Sequence, residues 1–361
     1  MPVSDLPELL EKCAVCHDQC LAYTPELRYL RHQSYVTSRK ALHLYMASRN
    51  QIEYSLELAE VVYAAVNSGL QSVNCIFSSG QDETAFIRAA RAKLAKRDLL
   101  PDEVRNVRDN IVRTGNAFGR IVKPSVSGEG DTAFLFDAAT LCLVPDVRVA
   151  VERILKKLNR SAAIVEVPSS GFLEFDLGFV EEARAAAEAT AEQLARINAK
   201  AVYTTDPTIA YALKVLFPDE FNLKLRCRTG HVTEWLCEVL EREKPEWRPF
   251  DGVVTYHDPS EMARYLRLHD QPRKLLSAVP GLRLAEMRFN REQARPTGVK
   301  PGTLYREKAK ILAMERMEEA KRTGARLLVT ASPYSYANLS GVPGGLPVMD
   351  ITEFLSVQLA G

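Results

Sequence analysis

The sequence has no surplus charge of one sign, no basic run and no long apolar stretch, and each absence removes a class of function. Lysine and arginine number 47 against 46 aspartate and glutamate, a formal charge of +1. No segment gathers the dense positive charge that tracks a phosphate backbone, so nucleic acid is not an expected partner. Nowhere do about 18 apolar residues run together as a spanning helix requires. The chain is therefore expected not to be integral to a membrane, with peripheral association through a partner left open. Met1-Pro2-Val3-Ser4-Asp5 has neither the basic n-region nor the apolar h-region of an export signal. The expected location is the cytoplasm. What is present, 46% hydrophobic and 26% charged residues over 361 positions, is enough for two or three packed cores.

Seven cysteines is an odd number, and Cys13, Cys16 and Cys20 stand too close together for a pairwise disulfide framework. In a reducing compartment such crowding points to metal ligation. A 4Fe-4S cluster needs four thiolates, and two-cluster ferredoxins supply three from a tight C-x2-C-x2-C loop and the fourth from the other motif. Cys13-Ala14-Val15-Cys16-His17-Asp18-Gln19-Cys20 gives C-x2-C-x3-C, one residue longer, and Thr24-Pro25 stands where that motif would end in Cys-Pro. Counting back from Cys75 on a C-x2-C-x2-C-x3-C template puts Ala65, Ser68 and Gln71 at the three ligand positions of a second cluster. Cys75 itself falls at the fourth position, which serves the first. The cysteines present are thus the four that one cluster needs, and those missing belong to another. Other readings fit the same residues: Cys13 to His17 matches the C-x-x-C-H of haem attachment, which requires export, and a structural zinc or unligated thiols fit the count. Cys142, Cys227 and Cys237 are isolated and read as small buried hydrophobes.

Residues 1–120 carry helical periodicity, as in Ser55 to Tyr63 and Phe86 to Leu94, with no strand pattern after the first cysteines. From about Asp131 strand-like runs alternate with helices: Ala133-Phe134-Leu135-Phe136, Val147 to Leu158, Ala162 to Val167, Val180 to Lys200. That rhythm belongs to an α/β domain. A second round has Gly252 to Tyr256, Leu304 to Lys321 and Arg326 to Thr330. Both rounds repeat a strand, a Pro-containing turn and a helix, at Thr205-Asp206-Pro207-Thr208 and Ala331-Ser332-Pro333-Tyr334, which reads as an internal duplication. Turn formers between Arg108 and Gly130 mark the boundary before the first round.

These features resemble the heterodisulfide reductase and glycolate oxidase iron–sulfur subunit family. Thr114-Gly115-Asn116-Ala117-Phe118-Gly119 is similar to its Thr-Gly-Asn-Pro-Phe-Gly, and Val254-Thr255-Tyr256-His257-Asp258-Pro259-Ser260 to its strand ending in His-Asp-Pro-Cys. Glu318 to Ala325 looks like the helix after its Cys-Cys-Gly element. The resemblance implies an α/β fold with a helical ferredoxin-like domain at 1–123 and two tandem duplicated CCG-type domains at 130–247 and 248–361. It also implies that the cysteine positions of both CCG domains have changed. Ser260, Pro296-Thr297-Gly298 and Ser332-Pro333-Tyr334-Ser335 stand at those of the second, and Asp137, Ser169-Ser170-Gly171 and Asp206-Pro207-Thr208-Ile209 at those of the first. Serine and proline do not donate the soft thiolate such clusters require.

The function expected is an electron-transfer subunit of a multi-subunit oxidoreductase, without catalytic residues of its own. It would carry one 4Fe-4S cluster on Cys13, Cys16, Cys20 and Cys75 and work with flavoprotein or iron–sulfur redox subunits. The alternative is a cluster-free or zinc-stapled structural or regulatory pseudo-subunit of such a complex. Asp137, Ser169, Ser170 and Asp206 read as a degenerate site filled by polar groups, with a hard-metal site as the competing reading. His257-Asp258 and His231-Val232-Thr233-Glu234 read as strand-end hydrogen bonds or caps.

Overall fold

The computed structural model describes residues 6–75, 82–197 and 199–360. The described chain before Ser125 is helical: Leu6–Ala14, Thr37–Ser48, Leu56–Tyr63, Leu70–Val73, Glu83–Ala95 and Asp102–Thr114, joined by 3-10 turns. The starts of these helices follow local chemistry. Ser55 accepts from the Leu58 amide and Asp82 from that of Thr84, each satisfying an N–H that the first turn leaves open. Gly115, at φ 73°, closes Asp102–Thr114 by returning its amide to the Ile111 carbonyl.

Two sheets follow. The first contains β1 (Ser125–Ser127), β2 (Thr132–Phe136), β3 (Ala163–Glu166), β4 (Ala201–Thr204) and β5 (Arg228–His231), in the order β1-β3-β2-β4-β5. Only the β1 edge is antiparallel. The second contains β6 (Gly252–Tyr256), β7 (Leu282–Leu284), β8 (Leu327–Thr330) and β9 (Val348–Asp350), all parallel in the order β7-β6-β8-β9. With β1 set aside, the two sheets share one strand order, with β2, β3, β4 and β5 standing where β6, β7, β8 and β9 stand. Their ends also correspond. β5 runs into a helix capped by His231 with Glu234, and β9 into one capped by Asp350 with Glu353, each a reciprocal capping box. The turn-rich boundary is itself structured, since Ser125–Ser127 pairs with β3.

The largest apolar cluster joins both sheets: Phe134, Phe136 and Trp235 from the first half pack with Val254, Tyr256, Val329 and Phe354 from the second. The C-terminal helix Ile351–Gln358 returns to the first half, where Lys157 donates to the Leu359 carbonyl. The helical part has its own cluster, with Phe86, Ile87 and Leu94 packed on Leu173, Leu177 and Phe179. Asp176 at that seam takes Arg88 and Arg91, all three buried. Gly178 permits the approach: at φ 86°, a Cβ there would stand 2.4 Å from the backbone of Arg91 and Ala92. Among the described residues no helix is long and apolar enough to cross a membrane.

Candidate functional site

Cys13 lies in the last turn of Leu6–Ala14, and the Cys16 amide returns to its carbonyl at 3.2 Å, reversing the chain. Asp18, in the left-handed region at φ 59°, starts the 3-10 turn Gln19–Tyr23 that carries Cys20. Its carboxylate is held by Ser38 and Arg39. The Cys20 Sγ stands 3.9 Å from Ser38 Oγ, and Thr24 Oγ1 donates to the Cys20 carbonyl at 2.8 Å. Cys75 follows the short helix Leu70–Val73. These elements bring all four thiols to one pocket, with about 430 Å3 of empty space, shared with Gln19, Thr37, Ser38, Gln71, Ser72 and Glu83.

Electrostatics records the same proximity. Burial, then Cys75, Cys20, Glu83 and Cys16, push the Cys13 thiol up to about 12. Burial raises Cys20 as well, against hydrogen bonds from Ser38. Behind the pocket Glu83 is pushed up to about 7 by burial, opposed by Lys40, and accepts from Thr37 Oγ1 at 2.8 Å. Lys40 and Glu26 form a fully buried pair at 2.9 Å, and Glu26 also accepts from the Val66 amide. Raised in this way, the Cys13 and Cys20 thiols hold their protons without a cation, so metal loading must release them.

A single ion and a cluster ask for different ligand spacings. Zinc requires four ligands at about 2.0–2.3 Å from one point. Among the described residues no three or more His, Cys, Asp or Glu close around such a point. The four thiols instead stand around a cavity, and a cuboid of iron and sulfide holds its thiolates farther apart. Four cysteines lining one pocket are a donor set that suits an iron–sulfur cluster.

The three positions counted back from Cys75 do not converge. The Ala65 carbonyl accepts from Arg91 and the Ser68 carbonyl from Arg264. Ser68 lines a different pocket, and Gln71 lines the four-cysteine one.

The residues read as altered CCG positions do converge, in two places. Ser260, Pro296-Thr297-Gly298, Ser332, Tyr334 and Ser335 line one pocket at the ends of β6 and β8, with about 400 Å3 of empty space. In the first half Asp137 and Asp206 each cap the helix after their strand, and Ser170 Oγ donates to Asp137 at 3.4 Å. Burial pushes Asp137 up to about 6; burial and the charge of Asp137 push Asp206 well up. Tyr334 links the two places, since it lines the second pocket while burial, Asp206 and Asp137 raise its phenol.

His257 is buried between Arg316 Nε at 3.1 Å and Ser335 Oγ at 3.2 Å, and burial drives its pKa well down. Asp258 is held by Arg273 at 2.7 and 2.9 Å. Cys142, Cys227 and Cys237 are half-buried rather than fully enclosed. Thr37, Ser38 and Glu83 are not legible in the sequence as pocket residues. They reach it by tertiary packing, and the only local signal is that they begin helices.

A model of the family described as "Cysteine-rich domain" (CCG) matches residues 254–340, a stretch with no cysteine at all. One component of the dihydromethanophenazine:CoB–CoM heterodisulfide reductase of Methanosarcina barkeri is 29% identical over 58% of this chain and 54% of its own length. The protein of the same name from Methanosarcina acetivorans is 24% identical over 91% of this chain and 87% of its own. The probable iron-sulfur-binding oxidoreductase FadF of Bacillus subtilis is 28% identical over 48% of this chain and 26% of its own. Among solved structures, a hypothetical protein from Helicobacter pylori superposes with a TM-score of 0.61 at 12% identity, over 88% of this chain and 67% of that one, a likeness of fold. These matches support a heterodisulfide reductase-like family for the chain, with residues 254–340 matched as a CCG domain.

Proposed function

We propose that the protein is an electron-transfer subunit of a multi-subunit oxidoreductase, carrying one 4Fe-4S cluster on Cys13, Cys16, Cys20 and Cys75. The observation that carries this reading is the single pocket lined by those four cysteines, drawn from two segments about 55 residues apart in sequence. When bound, such a group takes up and releases one electron at a time. The chain's own part is to shape the surroundings: Ser38 supports Cys20, and Lys40 offsets Glu26 and Glu83 behind the pocket. Val15, Leu21, Tyr23 and Val73, beside the cysteines in sequence, are among the exposed large hydrophobics. Exposed apolar side chains there suit a close redox partner, a flavoprotein or another iron–sulfur subunit, and the heterodisulfide reductase relatives are by name subunits of a larger enzyme.

The helical part is the ferredoxin-like domain of this reading, spanning 1–123, and the two sheets are tandem duplicated CCG-type domains at 130–247 and 248–361. Their strand order and matching capped ends support the duplication. Oxygen and proline at the ligand positions speak against clusters in either half. The test is iron content in variants. Cys75→Ser and Cys16→Ser are expected to lose the iron and the visible absorbance, while Ser260→Ala and Asp137→Ala keep both. Full iron in Cys75→Ser would sink the assignment; zinc in the wild type would move the reading to a stapled structural or regulatory subunit.

A further inference from the structure

Besides its four cysteines, the N-terminal pocket is lined by polar residues whose hydrogen-bonding groups are mostly committed elsewhere. Thr37 Oγ1 donates to Glu83 at 2.8 Å, and Ser38 Oγ donates to Asp18. Ser72 Oγ accepts from the Glu83 amide at 2.9 Å and donates to Asp82 at 3.2 Å. The Glu83 oxygen that lacks a partner, Oε2, is itself sealed off. Gln19 is exposed. Among the described residues that leaves Gln71, which is 4% exposed. Its Oε1 is enclosed without a partner. Its Nε2 has no hydrogen-bond partner among the described residues either, and unlike Oε1 it is not sealed off from open space. The nitrogen end of this amide is therefore the end that meets the cavity the residue lines.

The backbone fixes that placement. Gly69, in the left-handed region at φ 73°, starts the short helix Leu70–Val73 that carries Gln71, and the same segment delivers Cys75. A buried amide donor left without an acceptor is rare in a native protein. An amide cannot replace a bridging thiolate, but it can donate to one or to sulfide, and such a bond is charge-assisted. It strengthens as an added electron increases the negative charge on sulfur. Hydrogen bonds to sulfur are among the levers that set a cluster's potential.

We infer that Gln71 donates its side-chain amide to the cluster that Cys13, Cys16, Cys20 and Cys75 would hold, and that this bond raises the reduction potential. The inference rests on the single-cluster reading and assigns Gln71 a positioning and tuning role, not ligation. The test is a redox titration of the full chain, purified without oxygen and followed by electron paramagnetic resonance, with iron counted in every sample. Gln71→Leu and Gln71→Met remove the donor and keep an apolar body, so iron should stay at the wild-type level. The equilibrium should move about threefold or more toward the oxidised form, a fall of roughly 30 mV at about 59 mV per decade for one electron. Gln51→Leu, exposed beyond the far end of Thr37–Ser48, should leave the potential in place. With the glutamine side-chain nitrogen isotopically labelled, pulsed resonance should find a coupled nitrogen in the wild type that is lost in both variants. A smaller fall, no change or a rise in a variant that keeps its iron overturns the inference. So does a coupled nitrogen that survives in both variants, or loss of iron from both, which would make Gln71 a support of the fold alone. A wild type without a four-iron cluster fails the cluster reading itself, and this inference falls with it.

Discussion

Replacing Glu174 by glutamine is expected to stabilise the protein at pH 8 far more than at pH 5. Glu174 is buried beside Ser169, whose hydroxyl donates to it at 2.7 Å. Burial pushes its carboxyl from an ordinary 4.5 up to about 7, opposed by that hydrogen bond. A raised carboxyl binds its proton more tightly in the folded chain than in the unfolded one. Its contribution to stability is therefore full below pH 4.5 and is lost as the pH rises through 7. At about 1.36 kcal/mol per pH unit the difference is worth about 3 kcal/mol at pH 8 and about 1 kcal/mol at pH 5. Glutamine keeps the shape and an acceptor for Ser169 but never ionises. Urea unfolding of wild type and Glu174→Gln, followed by far-UV circular dichroism at both pH values without oxygen, measures the difference. A variant no more stable than wild type at pH 8, or equally stabilised at both, would refute the reasoning.

Two further outcomes follow from buried charge. Lys40→Met leaves the Glu26 carboxylate enclosed without its ammonium, at an expected cost of about 3–5 kcal/mol, and adding Glu26→Gln should restore most of it. A loss below about 1 kcal/mol in the urea midpoint, converted through the m-value, would contradict the pairing. His231 is pushed down to about 4 by burial, so the folded chain refuses a proton that the unfolded chain accepts. Stability is full above 6.5 and is lost as the pH falls through 4, by about 2–3 kcal/mol at pH 4.5. His231→Asn keeps a cap for the following helix and should remove that acid-driven loss, seen as a flatter stability profile between pH 7 and 4.5.

What is legible in the sequence follows from where each signal resides. Strands such as Thr132–Phe136 and Gly252–Tyr256 hold short apolar runs between turn formers, and they emerge where the sequence pattern places them. The cysteine spacing names four residues that converge on one pocket, because the template encodes a geometry as well as a count. Edge pairing is different. Ser125–Ser127 is exposed and polar, and it becomes a strand only because β3 offers it partners. The helix Pro207–Tyr211 passes into a π-helical stretch, Ala212–Glu220, that holds Pro218, where simple helical periodicity shows nothing unusual. The core shared by the two sheets, and the burial of Arg88 and Arg91 on Asp176 some 85 residues away, depend on packing between distant segments. No local pattern records them. Gln71 shows the limit most directly: template counting assigns it to a second cluster, and the fold turns it toward the first four cysteines.

Iron and acid-labile sulfide per chain, measured with the electron paramagnetic resonance spectrum on protein purified without oxygen, test the central claim most directly. The account predicts about four iron and four sulfide per chain with the signal of one reduced cluster. About eight of each, zinc in place of iron, or no metal at all would contradict it.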